Sequence, residues 1–63
     1  MIQGELVRFM DFGNGYFHRG EQLWFDGTDL ELGEALASGT IKVQFDDGID
    51  RELPSDAVYF VEY

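Results

Sequence analysis

The chain has no cysteine, which excludes a disulfide, a thiolate metal site and a cysteine nucleophile. Histidine occurs once, as His18. A lone imidazole without cysteine partners does not make a zinc site. The Asp-x-Asp-x-Asp-Gly order of a calcium loop is also missing, so Asp46, Asp47 and Asp50 read first as a solvated acidic turn. No metal or other cofactor is expected. No apolar run approaches the ~18 residues a membrane helix needs. Residues 1–12 carry Glu5, Arg8 and Asp11 and so lack the apolar core of a secretory signal. The expectation is a soluble intracellular protein, cytoplasmic or, in a eukaryote, nuclear, without a membrane partner. Basic residues are scarce: four stand against thirteen acids, a formal net charge of −9. A phosphate backbone repels such a surface, so direct binding of nucleic acid is not expected and a basic partner is favoured. The same acidity also serves plain solubility. Catalysis has little to work with. The two serines, Ser38 and Ser55, fall in turn-like stretches without an evident base beside them.

What the chain does contain is aromatic residues: six phenylalanines, three tyrosines and one tryptophan. With 63 residues it forms a single domain, residues 1–63. A domain this size buries only about 60% of the surface its unfolded chain exposes. Dense aromatic packing or self-association must help, so a homo-oligomer stays open.

Period-2 alternation dominates. Gly4–Phe9 reads as a first strand, with Leu6 and Arg8 on one face and Val7 and Phe9 on the other. Asp11-Phe12-Gly13-Asn14-Gly15 is a tight turn, and Tyr16–Arg19 restarts an extended segment. Gly20 reads as a bulge, and Glu21–Phe25 continues the strand. Either Trp24 or its neighbours Leu23 and Phe25 point outward. Asp26–Asp29 is a second turn. Residues 29–39 admit two readings. One is a helix capped by Asp29, with Leu32 and Leu36 on one face and Gly39 at its end. The other pairs Leu30–Leu32 back onto Leu23–Phe25 as a hairpin. Gly33 inside the helix would cost about 1 kcal/mol relative to alanine, which tilts the reading toward the hairpin. Thr40–Phe45 alternates strictly, with Ile41, Val43 and Phe45 on one face. Asp46-Asp47-Gly48 is a hairpin turn, and Ile49–Leu53 is the return strand. Pro54, the only proline, interrupts the ladder, and a single 3₁₀ turn follows over Pro54–Ala57. Val58–Glu62 closes as a short strand, with Tyr59, Phe60 and Tyr63 crowding the end of the chain. Five short strands joined by Gly/Asp turns describe an all-β barrel or sandwich, with a short helical turn near the C-terminus.

Four pieces in order carry a resemblance. They are Val7-x-Phe9; Asn14-Gly15-Tyr16-Phe17-x-x-Gly20; Lys42-Val43-x-Phe45-Asp46-Asp47-Gly48; and Leu53-Pro54-x-Asp56. Together they resemble the Tudor domain over nearly the whole chain except residues 23–39, which look longer here. The resemblance implies a bent five-stranded SH3-like barrel with an aromatic cage for methylated lysine or arginine at one end. Rings and one carboxylate suit such a cation. By position, Phe45 matches a cage ring and Asp47 the cage carboxylate. His18 stands where a tyrosine is common, and Asp11 where a tryptophan is, with Phe12 adjacent as a substitute wall. Ile49 stands where a further ring is common.

These readings converge on a non-enzymatic interaction module that binds a basic protein segment, methylated or unmodified. Phe12, Tyr16, His18, Phe45 and Asp47 would line its site. The alternatives are a stand-alone acidic inhibitor whose carboxylates imitate nucleic-acid phosphates, motivated by the −9 charge on a chain beginning at Met1, and a structural homo-oligomer.

Overall fold

The computed structural model describes residues 1–61. In chain order the elements are β1 (Ile2–Leu6), β2 (Met10–Asp11), β3 (Tyr16–Phe17), β4 (Gln22–Phe25), α1 (Asp29–Ser38), β5 (Thr40–Phe45), β6 (Asp50–Pro54), a 3₁₀ turn (Ser55–Ala57) and β7 (Val58–Tyr59). Five strands form one antiparallel sheet in the order β6-β5-β4-β1-β7, curled into a half-barrel. Strands β2 and β3 form a separate two-stranded ribbon. The protein is therefore mostly strand, with a single helix among the described residues. The 3₁₀ turn follows Pro54 as expected, but the one α-helix among the described residues lies mid-chain. The sheet is also open, with β6 and β7 at its edges.

The helix corrects the hairpin reading of residues 29–39. Its cap is Thr28 rather than Asp29. Thr28 Oγ1 accepts from the Glu31 amide at 3.2 Å, and Glu31 Oε1 accepts from the Thr28 amide at 2.8 Å. This reciprocal box satisfies two amides that a helix start leaves without partners. Gly39 ends the helix at φ +101°, a left-handed conformation that glycine adopts without strain. Leu32 is fully buried, while Leu30, which the hairpin would have paired, is 74% exposed. A cap contributes ~1 kcal/mol and burying a leucine ~1.5–3 kcal/mol. Together they outweigh the ~1 kcal/mol that Gly33 costs.

The core lies inside the curl. Leu6, Leu23, Phe25, Leu32, Ile41, Val43, Phe45, Leu53, Ala57, Val58 and Phe60 form one buried cluster. Leu23 and Phe25 face it, so alternation turns Trp24 outward, where it is half-buried opposite Gln44. Gly4 sits under the Phe60 ring, which comes within 2.6 Å of where a Cβ would stand. That close approach explains a glycine in the middle of a paired strand.

The first strand ends three residues earlier than the expected Gly4–Phe9. After Leu6 the chain leaves the sheet, and the Val7 amide donates to the Ala57 carbonyl at 2.9 Å. It re-enters at Gly20, whose amide donates to the Leu6 carbonyl at 2.7 Å, while the Leu6 amide donates to Glu21 at 2.8 Å. Gly20 has φ +94° and sits at the junction between ribbon and β4. The ribbon is thus an excursion between β1 and β4, closed at its neck by these two bonds. At the other end of the chain, Phe60 is buried and Tyr59 and Val61 are exposed. The expectations for Glu62 and Tyr63 lie outside the described residues.

No helix among the described residues is long and apolar enough to cross a membrane.

Candidate functional site

The ribbon decides where the aromatic residues go. Met10 pairs with Phe17 and Asp11 with Tyr16. Its turn is closed by the Phe12 amide donating to the Gly15 carbonyl at 3.1 Å and by the Gly13 amide donating to Asp11 Oδ1 at 2.9 Å. Gly13 takes φ +84° there. Alternation then divides the side chains into two faces. Met10, Phe12 and Phe17 pack inward against the core cluster. Phe9, Asp11, Tyr16 and His18 are exposed on the outer side.

On the inner side, three rings converge. Phe17 and Phe45 lie 4.2 Å apart between centroids, Phe12 and Phe45 5.7 Å, and Phe12 and Phe17 5.9 Å. The Arg51 guanidinium stands among them, with Cζ 4.8 Å from the Phe17 centroid, 5.1 Å from Phe12 and 5.4 Å from Phe45. Its Nη1 donates to Asp47 Oδ1 at 3.1 Å and its Nη2 to Asp47 Oδ2 at 2.9 Å, a bidentate pair. Nη2 also donates to Asn14 Oδ1 at 3.1 Å, across the ribbon turn. Nε is buried with no hydrogen-bond partner among the described residues. Arg51 is only 7% exposed. The Arg51 hydrogen bonds, followed by the Ile49 amide donating to Asp47 Oδ1 at 3.0 Å, hold the Asp47 carboxyl below the usual carboxylate range.

On the outer side, three further rings lie together. Phe9 and Tyr16 stack at 6.2 Å and 23°, and His18 lies 5.5 Å from Phe9. Phe9 is 54% and Tyr16 70% exposed. Asp11 lies opposite Tyr16 in the ribbon and is also exposed. A shallow groove lined by His18, Arg19, Gly20, Glu21, Gln22 and Asp46 adjoins the cluster and brings two more carboxylates near.

The five residues expected to form one site therefore fall into two groups. Phe12, Phe45 and Asp47 come together around Arg51. Tyr16 and His18 stand on the opposite side of the ribbon with Phe9. Strand parity explains the division, because Phe12 and Phe17 face inward while Tyr16 and His18, one residue out of phase with Phe17, face solvent. Sequence reasoning passed over Arg51 and Phe9. The signal for Arg51 was present: in Ile49–Leu53, alternation sets Arg51 on the same face as core residue Leu53, and it lies four residues after Asp47. Ile49, at the start of the return from the Asp46-Asp47-Gly48 turn, is 43% exposed.

Comparison of the chain with protein families, curated proteins and solved structures found no match.

Proposed function

We propose that the chain is a non-enzymatic interaction module whose ribbon face, Phe9, Tyr16 and His18, receives a lysine or arginine from a basic segment of a partner protein, methylated or unmodified. The observation that carries this reading is the stacked, solvent-facing ring cluster in a chain of net charge −9. Exposed ring faces attract a cation by roughly 0.5–1 kcal/mol each. Asp11 and the carboxylates of Glu21 and Asp46 add attraction, and the acidic surface steers a basic chain toward the face. The assignment to a Tudor-type, SH3-like barrel belongs to the same proposal. It is supported by the five-stranded half-barrel and by the convergence of Phe12, Phe45 and Asp47.

Titration with a lysine/arginine-rich peptide and with its trimethyl-lysine form, followed by amide NMR, tests the proposal. Shifts should concentrate at Phe9, Asp11, Tyr16 and His18. Phe9→Ala with Tyr16→Ala should weaken binding about tenfold or more, since each ring contributes on the order of 1 kcal/mol. Because both rings are exposed, the thermal midpoint should stay nearly constant. An absence of shifts at the ribbon, or unchanged affinity in the double variant, would refute it.

A further inference from the structure

The Phe12–Phe17–Phe45 box has the composition of a cation receptor, yet its occupant belongs to the same chain. The walls come from two separate pieces of structure. The ribbon supplies Phe12, Phe17 and the Asn14 amide, and the β5–β6 hairpin supplies Phe45, Asp47 and the guanidinium itself. We infer that this box is a guanidinium-selective site, held closed by Arg51, and that Arg51 latches the ribbon to the half-barrel. The proposal goes beyond the outer-face reading and does not depend on it.

The geometry specifies the chemical class. Asp47 takes two parallel N–H bonds from one edge of a planar fork, at 3.1 and 2.9 Å. Asn14 Oδ1 takes a third from Nη2 at 3.1 Å. The rings surround the remaining surface. A compact ammonium cannot present two parallel bonds and a flat face together, so lysine or a methylated lysine fits less well than arginine. Arg51 fills the box and is only 7% exposed. An external cation would therefore have to outcompete a ligand tethered at high effective concentration. In the native chain the box stays shut to free cations.

The latch also answers a structural question. Each ribbon strand has only two paired residues, and an isolated hairpin is marginal in water. The Asn14–Arg51 bond joins residues 37 positions apart and fastens the ribbon turn to the sheet.

The test is rescue by a small molecule. Arg51→Ala should lower the thermal midpoint. Ethylguanidinium chloride at low millimolar concentration should then raise the midpoint of Arg51→Ala by on the order of 5 °C above an equal concentration of sodium chloride. Ethylammonium should not, Arg51→Lys should not restore the native midpoint, and native protein should show no rise. A folded Arg51→Ala variant that ethylguanidinium leaves unchanged, or an equal rise in the native chain, would overturn the inference. If Arg51→Ala does not fold, side-chain ¹⁵N NMR of the native chain decides. Arg51 should give separate Nη proton signals, shifted by the rings, while Arg8 and Arg19 give averaged ones. An averaged Arg51 would overturn the latch.

Discussion

At the scale of single residues, the Arg51–Asp47 pair is the least expected feature of the core. Moving a guanidinium out of water carries an effective penalty of several kcal/mol. Here it is offset by a bidentate carboxylate, an amide oxygen and three ring faces. The pair is asymmetric, because Arg51 is buried while the Asp47 side chain is 37% exposed. The Asp47 carboxyl is held below its ordinary value in the folded chain, so the folded state binds a proton there less readily than the unfolded state. Its stabilisation is complete above the unfolded value of about 3.9 and is lost as pH falls from there through the lowered folded value. The thermal midpoint of the native protein should accordingly fall as pH drops below about 4. Asp47→Asn should start lower at pH 6 and lose less over that acid interval. Thermal melts between pH 6 and pH 2 check this, and parallel curves for the two proteins would contradict it.

At the scale of elements, the helix and the ribbon differ in how openly the sequence announces them. The strands and turns of the β5–β6 hairpin follow directly from alternation and from Asp46-Asp47-Gly48, with Gly48 at φ +79°. The helix was harder to see because Gly33 argued against it, yet Thr28-x-x-Glu31 carried the stronger signal. Thr28→Ala removes the hydroxyl acceptor for the Glu31 amide and should destabilise the fold by about 1 kcal/mol. For a domain of this size that lowers the thermal midpoint by roughly 4–8 °C. Thr28→Asp should retain most of the stability, because aspartate caps well. Equal loss in both variants, measured by thermal unfolding, would remove the cap from the account of the helix. The ribbon is intermediate. Its turn is evident in Asp11–Gly15, but its detachment from β1 depends on Leu6 bonding to Gly20 and Glu21, contacts no local pattern announces.

For the whole molecule, charge and size set the behaviour. The described chain measures about 30 × 20 × 17 Å. The Debye length is ~30 Å at 0.01 M salt and ~8 Å at 0.15 M. At low salt nearly every charge therefore feels every other, and with a net charge of −9 the sum is repulsive. At 0.15 M only neighbours interact. Raising salt over this interval should raise the thermal midpoint and weaken the binding of a basic peptide to the ribbon face. A midpoint that falls with salt would show that local pairs outweigh the net repulsion. Among those pairs, Arg8–Asp56 at 3.5 Å is exposed on both sides and weak, whereas in Arg51–Asp47 the arginine is buried and the carboxylate partly exposed. The open edge β6 carries the exposed acids Asp50 and Glu52 and ends at Pro54. All three discourage strand addition by another chain.

The amino-acid order by itself determined a β-rich domain, the turns at Asp11–Gly15 and Asp46–Gly48, the inward face of β5, the 3₁₀ turn after Pro54 and the acidity of the surface. These are local properties, set by side-chain period, by glycine and proline geometry and by composition. Only the tertiary structure decided that Phe12, Phe17 and Phe45 enclose Arg51, that Tyr16 and His18 turn away to join Phe9, and that the sheet stays open. The reason is that alternation tells which residues share a face of one strand. It does not tell which faces of distant strands meet, and a cation site is made by that meeting.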